Sequence, residues 1–399
     1  MRIAHISDFH LRHHLPGNSL IGKRRGRLLP GLLADAIDQI NALAPDLLAV
    51  TGDLVDYPLY GLEDPDLLSR GLDDLRLVKE IVDRATCPVA YLYGNHDHPE
   101  QFRDLFSEQP SERDIEGYRV LTFLDEEGEG HHPERVGDVR TRFEQVLSDS
   151  DNRPQVHLQH YLVWPNPATS YPHSYRDAPT LRSAIVDSRR VRLVLSGHYH
   201  VGYDLFEEDG VAFSTATAFC EPPHAYRTYD LSATGIIQRV YTLADRQRRK
   251  PAILLDHDGL LAPLSNSDEG SAALRRLSEA GYLVLGIVRQ RLEVTRTVCE
   301  LETSGDQLFD KLKQGGVEVD GLISRFDRKT VGEEDDAAIL TEACDSMLVS
   351  QKHAHLFTLI EAEASAGRDA GIMNVYKLDS KRPVEAFCDR ARAILEIAT

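Results

Sequence analysis

Five short stretches in the first half of this chain concentrate Asp, His and Asn. They are Asp8-Phe9-His10, Gly52-Asp53-Leu54-Val55-Asp56, Gly94-Asn95-His96-Asp97, Gln159-His160 and Gly197-His198-Tyr199-His200. Carboxylate, imidazole and amide oxygen are the donors that suit divalent ions able to bind phosphate oxygens. Two ions about 3.5–4 Å apart need a carboxylate between them, and Asp53 is the natural bridge. Asp8 and His10 stand two residues apart, so on a strand they share a face and can grip one ion; His198 and His200 repeat the spacing. Asn95 adds an uncharged oxygen. His96 follows it directly and points elsewhere, which leaves it for proton transfer or charge stabilisation at a leaving group. Asp56 can orient His96 and raise its pKa, with Asp97 a second candidate for that role. His157, earlier on the strand that leads to His160, is an alternative ligand to it. A dinuclear set of this kind points to hydrolysis of a phosphate ester.

Such residues need rigid elements to hold them. Each stretch follows an apolar run, in order RIAHIS, DLLAV, VAYLY, VHL and VRLVLS. These runs read as buried strands whose carboxyl ends carry the site, a normal place for chemistry in an α/β fold. Apolar residues at helical spacing over Leu28 to Leu43 and Leu72 to Val82 predict helices before the second and third strands. The rhythm predicts a layered sheet with helices outside. Residues 107–155 are polar and acidic and predict an excursion with one helix, Thr141 to Leu147; His131 and His132 there read as solvent-exposed. Residues 197–243 predict an antiparallel run that closes the sheet. A polar, basic stretch at 245–250 precedes a fresh strand, AILLD, which divides the chain into domains 1–245 and 251–399. The second domain alternates strand and helix again, as a small doubly wound pattern.

At 399 residues the chain can bury two cores. A formal net charge of −19, shared by both halves, disfavours a nucleic-acid platform. The basic run Lys23-Arg24-Arg25-Gly26-Arg27 reads as a solvated loop. Five cysteines, odd in number and without a CxxC pair, fit a reducing compartment. No leader-like start and no apolar run of roughly 18 residues is visible, so the expected place is the cytoplasm, off the membrane.

The five motifs in this order resemble the calcineurin-like metallophosphoesterases, whose signature runs D-x-H, GD-x-x-D, GNH-D/E, H and GH-x-H. The match covers about residues 1–245. The resemblance implies a four-layer α/β/β/α sandwich. It implies one ion held by Asp8, His10, Asp53 and His200, and another by Asp53, Asn95, His160 and His198. It also implies a bridging water or hydroxide that attacks phosphorus, with His96 assisting the leaving oxygen. The ions implied are Mn²⁺, Fe²⁺ or Zn²⁺. The segment AFCEPPHAYRTYDLS is similar to that of the class III cyclic-nucleotide phosphodiesterase group, which makes a nucleotide-type phosphodiester the expected substrate. The family often carries His-His-Pro at its fourth motif, whereas this chain has Gln159-His160-Tyr161. His13 and His14 are candidates for contact with substrate phosphate, and Tyr161 and Tyr199 for stacking on a base.

The second domain begins with Asp256-His257-Asp258-Gly259 at a strand end. It resembles the haloacid dehalogenase-like phosphatases of the histidinol-phosphatase type, a Rossmann-like doubly wound fold. In that family the first Asp attacks phosphorus, the second is the acid/base, and Mg²⁺ sits beside them. Here Val288 or Arg289 replaces the expected Thr or Ser. Val349 to His355 stands where V-G-D-x-x-x-D is expected, without its carboxylates. Asp256 and Asp258 alone should hold Mg²⁺ poorly, so this domain is expected to be catalytically degenerate. Three functions follow: a dinuclear phosphodiesterase acting on a small phosphoester, a nucleic-acid end-processing enzyme, or a regulatory scaffold whose second domain binds a phosphorylated ligand or partner. Homo-oligomerisation is left open.

Overall fold

The structure, a computed structural model, describes residues 1–15, 24–57, 64–167, 173–243, 249–288, 319–324, 336–347 and 349–398. Lys23, Arg289 and the side chain of Asp258 lie outside the described residues. The described residues fall into two compact units. The first holds Met1–His14, Leu28–Tyr57 and most of the chain to Leu243; the second holds the chain from Arg249 on, with Leu15 and Arg24–Arg27.

The first unit contains two main sheets. In one, β1 (Arg2–Ile6), β2 (Leu47–Thr51) and β3 (Val89–Leu92) run parallel. Strand β12 (Ala225–Ser232) pairs antiparallel with β1 and carries β13 (Gly235–Thr242) at its edge. In the other, β5 (Tyr118–Thr122), β8 (Gln155–Leu158), β9 (Val191–Ser196) and β11 (Val211–Thr215) are parallel. Strands β4 (Glu112–Ile115) and β10 (Tyr203–Glu208) close its two edges antiparallel. A small ribbon of β6 (Glu126–Glu127) and β7 (Pro133–Glu134) stands apart.

Strand alternation explains the stacking. Ile3, Leu47, Ala49, Ala90 and Leu92 of the first sheet share one core with Val120, Val156, Leu158, Leu193 and Leu195 of the second. The other face of the second sheet packs Leu121, Val194 and Phe213 against Phe143 and Val146 of helix Gly137–Ser148 and Leu181 and Ile185 of helix Ala178–Ser188. Helix Leu29–Leu43 buries Leu29, Leu32, Leu33, Ala36, Ile37 and Ile40 at 3–4 residue spacing. Helix Pro65–Val82 starts at an Asp64 cap, whose carboxylate accepts the Asp66 and Leu67 N–H groups. The result is a helix–sheet–sheet–helix sandwich.

Two expectations need correction here. Residues 107–155 are more than an excursion with a helix, because they supply β4 and β5 of the second sheet. A two-residue turn joins those strands, with Glu116 at φ 51° and Gly117 at φ 79°. The run after Gly197 does not close one sheet. Its first hairpin, β10–β11, joins the second sheet through a parallel β9–β11 pairing, and its second, β12–β13, joins the first sheet.

The second unit is one parallel sheet: β14 (Lys250–Asp256), β15 (Leu283–Val288), β16 (Gly321–Ser324), β17 (Val349–Thr358) and β18 (Asn374–Lys377), in order β16-β15-β14-β17-β18. Ile253 and Leu255 face one apolar cluster, Ala252 and Leu254 another. Both faces are covered, as a doubly wound sheet requires. Val349 to His355 forms the first seven residues of β17. The register pairs Ile253 with His355 and Leu255 with Phe357, so β17 continues to Thr358 beside Asp256. Among the described residues no helix is long and apolar enough to cross a membrane.

One buried ion pair anchors the connection between β5 and β8. Arg135 donates through Nε and Nη2 to the two oxygens of Asp125, both at 2.8 Å, with both side chains fully buried. Its Nη2 also reaches Gln159 Oε1 (3.1 Å), and its guanidinium lies 4.1 Å from the Phe123 ring centroid. Asp125→Ala would leave that guanidinium buried without its carboxylate. Denaturant unfolding of this variant should show a loss of about 3–5 kcal/mol; a change below 1 kcal/mol would show that the pair is dispensable.

Candidate metal centre

The pairing of β1 with β2 continues into the loops beyond them. Asp8 N–H donates to Gly52 O (3.0 Å), His10 N–H to Asp53 O (2.9 Å) and Leu11 N–H to Leu54 O (3.1 Å). Asp8, His10, Asp53 and His198 take φ values of 56°, 44°, 51° and 65°. Left-handed backbone costs a residue with a Cβ about 1–2 kcal/mol, so the surroundings must hold these four in place. The Asp97 carboxylate accepts the N–H groups of Leu54 (3.0 Å), Val55 (2.9 Å) and Gly94 (2.9 Å), tying the β2 loop to the β3 loop. Asp8 accepts the His198 N–H at 3.0 Å, and Asp53 accepts the His96 N–H at 2.9 Å. Glycine is needed where these chains meet. A Cβ on Gly94 would lie 2.2 Å from Asp53 Oδ1, and one on Gly197 would lie 2.1 Å from Ser7 Oγ.

The side chains so positioned form two clusters of donors with Asp53 in both. Asp8, His10, Asp53 and His200 make one; Asp53, His160 and His198 make the other, the donor atoms of each group lying within 4.8 Å of one another. Asn95 Oδ1 stands 3.4 Å from His160 Nε2, which brings it to the second cluster. Within the clusters, His10 Nε2 and His200 Nε2 are 3.1 Å apart, and His198 Nδ1 and His160 Nε2 are 3.2 Å apart. His10 Nε2 lies 3.3 Å and His160 Nε2 3.5 Å from Asp53 Oδ2.

The outward ring nitrogens reveal which lone pairs face in. His160 Nδ1 donates to the Thr51 carbonyl at 2.7 Å, and His200 Nδ1 to Glu221 Oε1 at 2.7 Å. Neither a carbonyl nor a carboxylate can donate, so each Nδ1 carries a hydrogen and each Nε2 is the nitrogen that faces inward. His10 Nδ1 lies 3.3 Å from Asp56 Oδ1 in the same sense. This is how metal-ligating histidines are held, and the donor set fits two divalent ions that share Asp53.

The electrostatics agree. Burial alone would raise the Asp53 carboxyl, but the charges of His160 and His10 outweigh it and hold Asp53 well below the usual carboxylate range. Burial pulls His160 down, yet the charge and hydrogen bond of Asp53 push it up to about 9. Burial, with the His160 charge added, drives His198 well down. Asp53 thus favours a charged His160, while burial and that charge keep His198 neutral.

The other expected residues fall as follows. Asp56 meets His96, with Oδ1 3.3 Å from its Nδ1, and also meets His10 and Arg12, whose Nε lies 3.0 Å from Asp56 Oδ2. His157 does not enter either cluster; it packs against Phe123 and lies 2.9 Å from Gln155. His13 and His14 are exposed, their backbone N–H groups bound by buried Asp74. Tyr161 is buried edge-on against His160 and His198. Tyr199 stacks on Tyr203 with centroids 5.2 Å apart. Gln159 donates to Tyr161 O (2.7 Å) and accepts from Arg135, so it braces the His160 loop. Sequence reasoning missed Glu221, Arg12 and Cys220. Glu221 carries no local signal, since the chain brings it to His200 only through the β11–β12 connection.

Residues 1–202 match the calcineurin-like phosphoesterase family. A probable cyclic nucleotide phosphodiesterase of a Synechococcus species is 26% identical over 251 residues, 59% of this chain and 89% of the relative. A dimetal phosphatase from Danio rerio aligns with 61% of this chain and 99% of its own at 16% identity and a TM-score of 0.46. A purple acid phosphatase from yellow lupin aligns with 62% of this chain and 52% of its own at 13% identity and a TM-score of 0.42.

Glu221→Gln keeps the size of the side chain but removes the charge that orients His200. Calorimetric titration of the chelator-treated protein with Mn²⁺ should show binding at one of the two positions weakened by roughly 10–100-fold. Unchanged affinity at both positions would show that Glu221 does not support the centre.

Proposed function

The chain belongs to the calcineurin-like phosphoesterase family, and we propose on that premise how its residues divide the work. It is a metal-dependent phosphohydrolase with a dinuclear centre. When bound, two divalent ions would supply an activated water as nucleophile and neutralise charge on the phosphoryl oxygens. We assign one ion to Asp8, His10, Asp53 and His200, and the other to Asp53, Asn95, His160 and His198. The observation that carries the reading is the pair of donor clusters sharing Asp53.

His96 is the proton donor in this proposal. Asp56 holds its Nδ1, which leaves Nε2 to serve the leaving oxygen, and its ring stands edge-on to His10 at 4.6 Å between centroids. Its backbone N–H donates to Asp53 Oδ1 at 2.9 Å, which ties the acid to the bridge. Asp56 spans His10, His96 and Arg12, and so couples the geometry of a ligand to that of the acid. The favoured substrate is a nucleotide-type phosphodiester, supported by the cyanobacterial relative. Mn²⁺, Fe²⁺ and Zn²⁺ all suit the donors.

For the second unit we propose a haloacid dehalogenase-like sheet that has lost its own hydrolysis. Asp256 is buried at the end of the central strand, but apolar Leu359 stands against the same loop. A Cβ on Gly259 would lie 2.5 Å from Asp256 Oδ2 and 2.9 Å from Leu359 Cδ1.

Hydrolysis of bis-p-nitrophenyl phosphate and p-nitrophenyl phosphate with added Mn²⁺ tests both parts. Diester turnover should exceed monoester turnover, vanish in Asp53→Ala and persist in Asp256→Ala. Monoester activity lost in Asp256→Ala would overturn the silent second unit. His96→Ala should lose about 10²–10⁴-fold on an alkyl diester, whose alkoxide needs a proton, and much less on the nitrophenyl diester. Equal losses on both would remove His96 from the role of acid.

A further inference from the structure

Cys220 is fully buried, and its sulfur forms a further donor group with a ring nitrogen of His10 and of His200, all within 4.8 Å of one another. The backbone fixes it there. Phe219 N–H donates to Ser7 O (2.9 Å), Cys220 N–H to Asp8 O (3.1 Å), and Ala218 N–H to His200 O (3.1 Å). The segment is thereby stitched to both loops that carry the first cluster. The next residue, Glu221, holds His200 Nδ1. Neither cluster assigned above contains sulfur, and the group around His160 and His198 has no cysteine near it among the described residues.

We propose that Cys220 Sγ is a ligand of the ion held by Asp8, His10, Asp53 and His200, and that it makes the centre chemically asymmetric. The inference rests on the dinuclear reading above. On binding, the thiol releases its proton to solvent and the sulfur gives a lone pair to the ion. Thiolate is softer than carboxylate, amide or imidazole and selects thiophilic ions. The first position therefore favours Zn²⁺ or Co²⁺ over Mn²⁺, while the second, with oxygen and nitrogen donors only, does not share that bias.

Co²⁺ reports both facts at once. The chelator-treated full chain is titrated with Co²⁺, counting bound ions and recording the spectrum, for wild type and Cys220→Ser. Serine is nearly isosteric, and circular dichroism confirms that the variant is folded. The wild type should bind two Co²⁺ and show a near-ultraviolet thiolate-to-cobalt charge-transfer band. Cys220→Ser should keep two Co²⁺, keep the visible ligand-field bands and lose the charge-transfer band. Two bound Co²⁺ without that band in wild type, or a band that survives in Cys220→Ser, overturns the thiolate ligand and leaves the dinuclear reading standing. Fewer than two Co²⁺ in wild type overturns the dinuclear reading, and the sulfur ligand falls with it only if the band is absent as well.

Discussion

Everything in the first unit is arranged around one unfavourable crowd. Two carboxylates and four imidazoles aim oxygen and nitrogen lone pairs at a volume a few ångströms across, and His10, His160 and Asp53 are almost wholly shielded from water. Burying charge without compensation is costly. Within the protein alone, a proton on His160 offsets Asp53 in part. Two divalent cations offset the whole set, because every inward lone pair then gains a partner. The centre is therefore a place where positive charge is required, and phosphate esters are substrates that such charge can hold.

That requirement explains the surrounding construction. Ligand loops follow parallel strands, so their carboxyl ends converge, and the β1–β2 pairing carries on into Asp8, His10 and Asp53. Left-handed backbone at four candidate ligands is tolerated because Asp97, Asp8 and Asp53 each bind amide hydrogens of the neighbouring loops. Thr51, Glu221 and Asp56 fix ring orientation from behind. Asp97 was a candidate to orient His96, yet it serves as a backbone clamp; Asp56 takes the histidines instead.

Much of this was legible in the sequence, for definite reasons. The candidate ligands follow apolar strands at short offsets, so spacing brought Asp8, His10, Asp53, His198 and His200 into view. Helix Leu29–Leu43 was readable within a residue from its apolar stripe. Helix Pro65–Val82 was read seven residues short, because its start lies in the Asp64-Pro65 capping pair and not in apolar periodicity. Strands β4 and β5 were missed inside a polar segment, although Glu116-Gly117 is a hairpin turn. The split of the last two hairpins between sheets depends on the parallel β9–β11 pairing, a long-range choice with no local mark. Glu221, Arg12 and Cys220 reach the centre only through tertiary proximity.

The most direct test of the shared centre is elemental analysis of metal per chain after equilibration with Mn²⁺ and removal of the excess, for wild type and Asp53→Ala. If Asp53 joins both positions, wild type carries two ions per chain and Asp53→Ala carries fewer than one. Two ions retained in folded Asp53→Ala would contradict the bridge and, with it, the account of why these loops converge.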